Sequence, residues 1–264
     1  MKICVCIKEV PDPDIPSNKL RIDKQNFKIL PTENVPNVVN GFDLNAVELA
    51  LRFAENFDNS SISIISVGNA LTSDVIKKPI AMGADEIITC DNEGLGKIDI
   101  TATAFILSRI IEKNGPYDMI FCGRHASDFD YASVPFAISE FLSIPIINIV
   151  KSITLKDEKL LIERVITDGF QMIEASMPLI ITTWNQVGDP RYPTLKGIMN
   201  ASKKQINNLS LSDLGISETE ILPLIELEEM FFPENENKVE MIEGANNQEK
   251  AVNLISKLKE EGAI

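Results

Sequence analysis

The chain has 264 residues, 44% of them hydrophobic, and a formal net charge of −14 from 39 acidic and 25 basic residues. That apolar content allows a substantial core, in one large domain or in one domain with appendages. The acidity argues against nucleic acid and against anionic membrane surfaces as partners. The longest apolar runs, such as Ile144 to Val150, fall far short of the ~20 residues that a membrane-spanning helix needs.

The opening run Met1-Lys2-Ile3-Cys4-Val5-Cys6-Ile7-Lys8 is too short for a secretory leader and is followed by no small-residue cleavage site. It reads as a first core strand, and a cytoplasmic location is the resulting expectation. Cys4, Cys6, Cys90 and Cys122 form no C-x-x-C pair and sit in or at the end of strand-like runs, as buried free thiols do. With His125 as the only histidine, no metal site is expected.

In chain order, five short β-branched runs punctuate the first 150 residues: Ile3–Ile7, Ile62–Val67, Glu86–Cys90, Asp118–Cys122 and Ile146–Val150. Helical spacing lies between them. Leu44, Val47, Leu51 and Ala54 share a face behind Asp43, a possible N-cap. Ser73 to Met82 is interrupted by Pro79 and closed by Gly83; Asp99 to Lys113 stops before Gly115-Pro116; Tyr131 to Leu142 closes before Pro145. Strands alternating with helices predict an α/β fold, a doubly wound, mostly parallel sheet covered on both faces.

After Val150 the rhythm changes. Ser152–Lys156 and Lys159–Ile166 alternate around Asp157-Glu158 as a hairpin would, and Phe170–Ala175 and Leu179–Trp184 follow; all are expected as antiparallel strands added to the sheet. From Asn185 the chain is irregular, with a short helix expected over Leu195 to Ala201. Residues 205–264 are acidic and loop-rich, with Pro223, Pro233 and the polar stretch Glu234–Lys238, and they end in an amphipathic helix, Gln248–Glu261, with Ala251, Leu254, Ile255 and Leu258 on one face. The expected division is residues 1–204 as the α/β domain and 205–264 as an arm that packs on a partner subunit.

Three loops are expected at one edge of the sheet. Gly123-Arg124-His125-Ala126-Ser127-Asp128-Phe129-Asp130-Tyr131 starts where a buried strand ends and leads into a helix, the place where open α/β sheets bind ligands. A helix N-terminus suits a phosphate, Arg124 adds charge, and Asp128 or Asp130 can accept a bond from a ribose hydroxyl. A capped turn, with the aspartates satisfying helix amides, is the alternative reading. Asn40-Gly41-Phe42-Asp43 is a second loop entering a helix, and Val67-Gly68 a third. The G-x-G-x-x-G and P-loop fingerprints are absent, as is G-x-S-x-G, so neither a dinucleotide dehydrogenase nor a serine hydrolase is indicated, and no catalytic residue is assigned.

Six motifs, in order along the chain, resemble the beta (small) subunit of electron transfer flavoproteins: Val5-Cys6-Ile7-Lys8-Glu9-Val10-Pro11-Asp12; Asn40-Gly41-Phe42-Asp43-Leu44-Asn45-Ala46-Val47-Glu48; Ala81-Met82-Gly83-Ala84-Asp85; Cys122 through Asp130; Asp168-Gly169; and Pro190-Arg191-Tyr192-Pro193-Thr194-Leu195-Lys196-Gly197-Ile198-Met199. The first and last look like the electron-bifurcating branch. Where that branch carries Asp-Gly-Asp-Thr-x-Gln-Val-Gly, this chain has Asp128-Phe129-Asp130-Tyr131-Ala132-Ser133-Val134-Pro135.

The resemblance implies an electron carrier, a heterodimer with a larger alpha subunit that holds the main FAD. The beta subunit binds its own nucleotide, either AMP or, in bifurcating members, a second FAD that meets NADH. The family's nucleotide contacts fall on Cys6, Asn40, Gly41, Phe42, Asp43, Val67 and the segment Gly123, Arg124, His125, Ala126, Ser127, Asp128, Phe129, Asp130, Tyr131, Ala132, Ser133 and Val134. The segment at about 185–202 resembles the partner-recognition loop, with Pro190, Arg191, Tyr192, Leu195, Ile198 and Met199 facing an acyl-CoA dehydrogenase-type or other redox partner. The competing reading is an ATP-binding regulator of the universal-stress type, in which the Pro190–Met199 segment has no role.

Overall fold

A computed structural model describes residues 1–16, 19–24, 28–31, 36–232 and 239–264. Pro233 and the polar stretch Glu234–Lys238 lie outside the described residues. The chain divides into two compact units, Met1–Glu228 and Glu229–Ile264.

In chain order the first unit contains β1 (Lys2–Cys6), β2 (Glu9–Pro11), β3 (Leu20–Asp23), β4 (Lys28–Pro31), β5 (Asn37–Val39), α1 (Gly41–Ala54), β6 (Ser61–Gly68), α2 (Ser73–Ile76), α3 (Lys78–Met82), β7 (Glu86–Asp91), α4 (Ile100–Asn114), β8 (Met119–Gly123), α5 (Val134–Leu142), β9 (Ile146–Lys156), β10 (Lys159–Ile166), β11 (Gly169–Ala175), β12 (Leu179–Thr183), α6 (Leu195–Lys203) and β13 (Ile206–Asn208). Nine strands form one sheet in the order β11-β10-β9-β12-β8-β1-β6-β7-β13. Every neighbour from β9 to β13 in that order is parallel, and β10 and β11 are antiparallel additions at one edge. From β1 the chain winds outward through β6 and β7, then returns to the other side of β1 with β8. The junction of β1 and β8 is therefore the topological switch point.

Alternation along the central strands supplies both cores. Ile3 and Val5 face one side with Leu44, Val47 and Leu51 of α1, Ile80 and Met82 of α3 and Ala201 of α6. Cys4 and Cys6 face the other with Ala102, Ile106 and Ile110 of α4 and Ile138 of α5. Burying one such Ile or Leu side chain contributes about 1.5–3 kcal/mol. All four cysteines are free and buried. The Cys4 thiol is pushed up by burial, and the Cys122 thiol by its hydrogen bond to Cys6 and then by burial.

Several expectations need correction. β12 is not an antiparallel extension; it sits inside the sheet, parallel to β8 and to β9. Its run Leu179-Ile180-Ile181-Thr182-Thr183 is buried throughout, the pattern of a strand covered on both faces. The helix expected from Tyr131 starts at Val134, because Asp130 and Ala132 adopt left-handed φ values of 56° and 53°. Ser73–Met82 divides at Lys77 into α2 and α3, with Pro79 in the first turn of α3 and Gly83 closing it at φ 132°. Residues 205–228, assigned to the arm on sequence, belong with the first unit: β13 pairs with β7, and Leu214, Ile216 and Ile221 are buried in the second core.

The hairpin expected at Asp157-Glu158 is present, both residues lying at positive φ (49° and 64°) as a tight two-residue turn requires. In the second unit, α7 (Asn247–Glu260) is capped by Asn246, whose side chain accepts the Glu249 amide proton. None of its residues is buried, and Val252, Leu254 and Ile255 are exposed. Among the described residues no helix is long and apolar enough to cross a membrane, and no group of three or more His, Cys, Asp or Glu could hold a metal ion.

Candidate nucleotide crevice

Parallel strands end in unpaired backbone at their carboxyl ends, and at a switch point the two following connections part, leaving a crevice between them. Here it is bounded by the ends of β1 and β8 and the start of α1. Asp43, in the first turn of α1, stitches the two strand ends together. Its Oδ2 accepts the Lys8 amide at 2.7 Å and its Oδ1 the Gly123 amide at 3.1 Å. It is therefore not the helix N-cap expected from sequence; that position is Asn40. Burial pushes the Asp43 carboxyl up to about 7, against the downward pull of the Lys8 amide, Asn40 and the Gly123 amide. Gly123 allows this approach, since a Cβ there would lie 2.2 Å from Asp43 Oδ1 and 2.8 Å from Asp43 N.

Asn40, 1% exposed, reaches across the crevice. Its Nδ2 donates to the His125 carbonyl at 2.8 Å, its Oδ1 accepts the Ser127 amide at 3.3 Å, and its own amide donates to the Lys8 carbonyl at 2.9 Å. With its side chain so engaged it caps nothing in α1, and the helix begins with uncapped amides. The same holds at α5, where the Ser133 hydroxyl donates to the Tyr131 carbonyl instead of capping. Two helix N-termini, one on each face of the sheet, thus stand without side-chain caps at its carboxyl edge, and such termini attract an anion. A Cβ on Gly41 would meet no atom within 4 Å, so space lies open at the first residue of α1. Asp128 pairs with Lys8 through Oδ2, while its buried Oδ1 has no partner. Uncapped donors, open space and an unused acceptor fit a phosphorylated nucleoside.

The remaining expected residues arrange around this. The Phe42 and His125 rings are 4.2 Å apart, and His125 Nε2 lies 3.0 Å from Asp130 Oδ1. Burial, reinforced by Arg124, holds the His125 imidazole below its usual value despite the Asp130 carboxylate. The Arg124 guanidinium lies over the Trp184 ring at 4.7 Å, and its amide donates to the Thr183 carbonyl. Ala126 accepts the Asp130 amide at 2.9 Å. Cys6 is the buried last residue of β1, in register with Cys122, and Val67 precedes the final residue of β6 on the far flank. Sequence reasoning left Lys8 out of the site, although a lysine closing an apolar strand is a visible signal.

The second predicted site forms separately. Arg191 is held by α1: its Nε and amide both donate to Glu48 Oε2 at 2.9 Å, and its Nη1 donates to Glu55. Arg52 donates to Glu48 and to the Val187 carbonyl, and Asn45 to the Gly188 carbonyl. Burial would raise the Glu48 carboxyl, yet the bonds from Arg191 and Arg52 outweigh it and hold it below its ordinary value. Asn45 and Glu48 were missed, though polar residues inside the apolar helix Leu44–Ala54 are the kind of signal that marks a buried polar contact. Anchored this way, Pro190 is half-buried, while Tyr192 (93% exposed), Leu195 (76%), Ile198 and Met199 stand in solvent. Gly197 packs on α3 so closely that a Cβ would lie 2.2 Å from the Ala81 carbonyl oxygen. Two segments far apart in the chain, Ala81–Asp85 and Arg191, Tyr192, Thr194, Lys196 and Gly197 of the second motif, line one groove of about 660 Å³.

The fold is an open, doubly wound α/β sheet whose switch point is flanked by helix N-termini without side-chain caps. The model of the electron transfer flavoprotein domain matches residues 29–214. The electron transfer flavoprotein subunit beta of Thermoanaerobacterium thermosaccharolyticum is 38% identical over 222 residues, 84% of this chain and 83% of its own. Subunit CarD of the caffeyl-CoA reductase-Etf complex of Acetobacterium woodii is 32% identical over the full length of both chains. So is the acryloyl-CoA reductase electron transfer subunit gamma of Anaerotignum propionicum. The chain belongs to the electron transfer flavoprotein family, and its role is electron transfer.

Proposed function

We propose that the chain is the beta subunit of a heterodimer with a larger alpha subunit, holding FAD in the switch-point crevice and meeting its redox partner through the Leu195 segment. The observation that carries this reading is the double use of α1. Its N-terminus opens on the crevice, while Glu48 and Arg52, about 10 Å and 16 Å along the helix from Gly41, clamp the segment that presents Tyr192 and Leu195. One rigid element thus spaces the nucleotide from the docking surface.

In the crevice, Asn40, Gly41, Phe42 and Asp43 would position the nucleotide, with the amides of α1 and α5 toward its phosphates and Asp128 or Asp130 toward a ribose hydroxyl. FAD bound there supplies flavin redox chemistry, with NADH as the electron donor. Two relatives carry the names of caffeyl-CoA and acryloyl-CoA reductase complexes, and by extension the partner is an acyl-CoA dehydrogenase-type enzyme. The arm from 229 to 264, with its exposed Val252, Leu254 and Ile255, would pack on the alpha subunit.

An exposed leucine on a small surface suits a transient contact. In the heterodimer, Leu195→Ala should slow electron transfer to the partner several-fold and leave the flavin content unchanged, read by stopped-flow absorbance and cofactor extraction. Equal rates in variant and wild type would remove Leu195 from the docking role.

A further inference from the structure

Positive charge is unevenly placed on this acidic chain. Segments 75–84 and 190–206 carry six basic residues, Lys77, Lys78, Arg191, Lys196, Lys203 and Lys204, while all 39 acidic residues lie elsewhere. Folding brings the two segments together: α3 packs on α6, and Lys77 Nζ donates to the Ser202 carbonyl at 3.4 Å. The Arg191 charge is met by Glu48 and Glu55. The five lysines have no such compensation, since none of them pairs with a carboxylate among the described residues. Lys196, Lys203 and Lys204 line the groove between α3 and α6, and Asp85 is the one carboxylate in its lining. That carboxylate is already engaged, its Oδ2 accepting the Ile62 amide at 2.8 Å. Like charges crowded on one surface repel one another, and an incoming anion relieves that repulsion.

The helix that carries most of these lysines buries only Ala201 and divides its exposed surface in two. Leu195, Ile198 and Met199 recur at helical spacing along one side. Lys196, Asn200 and Lys203 recur along the other and face the groove. Apolar anchors with a row of cations beside them are the core and rim of a protein-docking surface. We infer that the α3–α6 groove receives an acidic segment of the redox partner, whose carboxylates meet Lys196, Lys203 and Lys204. The inference deepens the docking reading above and rests on it: Leu195 supplies the apolar contact, and the lysines steer the approach. A flat anionic bilayer does not match this surface. It cannot enter a groove of about 660 Å³, and the acidic remainder of the chain repels it.

Salt separates the two contributions, because steering between exposed charges is screened over roughly 10 Å at 0.1 M and roughly 3 Å at 1 M, whereas an apolar contact is not. The experiment mixes dithionite-reduced heterodimer with an oxidised short-chain acyl-CoA dehydrogenase in stopped flow, from about 20 mM to about 1 M sodium chloride. Lys196→Gln/Lys203→Gln/Lys204→Gln is expected to lower the second-order rate about 10-fold at low salt and to come within about twofold of wild type at about 1 M. Leu195→Ala should lower it by a similar factor at every salt concentration. Lys156→Gln/Lys159→Gln, on the β9–β10 hairpin at the other edge of the sheet, should stay within about twofold throughout. A triple variant equal to wild type at low salt, or a deficit that salt does not change, overturns the inference. An equal loss in the hairpin variant overturns it too, by assigning the effect to net charge. As a second probe, an oligoglutamate peptide of about 12 residues should bind the triple variant about 5-fold more weakly than wild type at low salt. Equal binding to both overturns the groove. Binding to phosphatidylglycerol vesicles that the triple variant loses would make the patch a membrane site and overturn it as well. A dehydrogenase that takes no electrons from wild type contradicts the docking reading itself, while the oligoglutamate titration still decides on the groove.

Discussion

Gly123 and Asp43 meet at a separation that leaves no room for a methyl group. In Gly123→Ala the new Cβ would sit 2.2 Å from the Asp43 carboxylate and 2.8 Å from its amide nitrogen, both held by α1. We expect a loss of about 1–3 kcal/mol in thermal unfolding together with reduced nucleotide content, since either β8 or α1 must retreat. Asp43 itself carries a pH signature. Its folded value, pushed by burial from 3.8 to about 7, lies above the unfolded one, so the folded state holds the proton more tightly. The resulting stabilisation is complete below pH about 4 and is lost as pH rises through about 7, at no more than about 1.4 kcal/mol per pH unit. Asp43→Asn cannot titrate, so its deficit relative to wild type should be largest near pH 4–5 and narrow toward pH 8 in denaturant melts. A deficit that widens with pH would mean that the two amide bonds, rather than burial, set the Asp43 proton affinity.

Between elements, α1 and α6 depend on contacts that are easy to break one at a time. Glu48 is 2% exposed and receives bonds from Arg191 and Arg52. Glu48→Gln removes the charge opposite two guanidinium groups, and about 2 kcal/mol of stability should go with it. Because the Glu48 carboxyl is held below 4.5, its contribution is present above that value and is lost as pH falls through the lowered one. The variant should therefore show a weaker acid destabilisation than wild type in melts between pH 5 and 2. Gly197→Ala drives a Cβ to 2.2 Å from the Ala81 carbonyl, so α6 must lift from α3. Transfer to the redox partner should slow while the crevice keeps its nucleotide; simultaneous nucleotide loss would show that α3 and α6 also shape the crevice.

At the scale of the whole molecule, what was legible in the sequence follows from where the local signal lay. The β1, β6, β7 and β8 strands announced themselves as short β-branched runs because they are covered on both faces, and the helices α1 and α4 by their period because each buries one face. β12 was misread because strand direction is carried by the connection that precedes it rather than by its own residues. β2, β3, β4, β5 and β13 are three or four residues long and too short to show a period. In the crevice, Asn40, Gly123 and the 124–131 loop could be read from turn chemistry at strand ends. The bridging role of Asp43, which joins Lys8 to Gly123 through bonds spanning 35 and 80 residues of chain, could not, because only folding brings those amides together. Arg191 shows the same limit: its bonds to Glu48 join residues 143 apart, and only folding brings them together.

The most direct test is to purify the chain with its alpha subunit, extract the cofactors and quantify FAD and AMP per heterodimer. The expected result is two FAD and no AMP, one FAD belonging to the crevice at the β1–β8 switch point. One FAD with one AMP would keep the crevice as a nucleotide site and overturn the assignment of FAD to it. One FAD with no second nucleotide of any kind would contradict the assignment of the crevice as a nucleotide site.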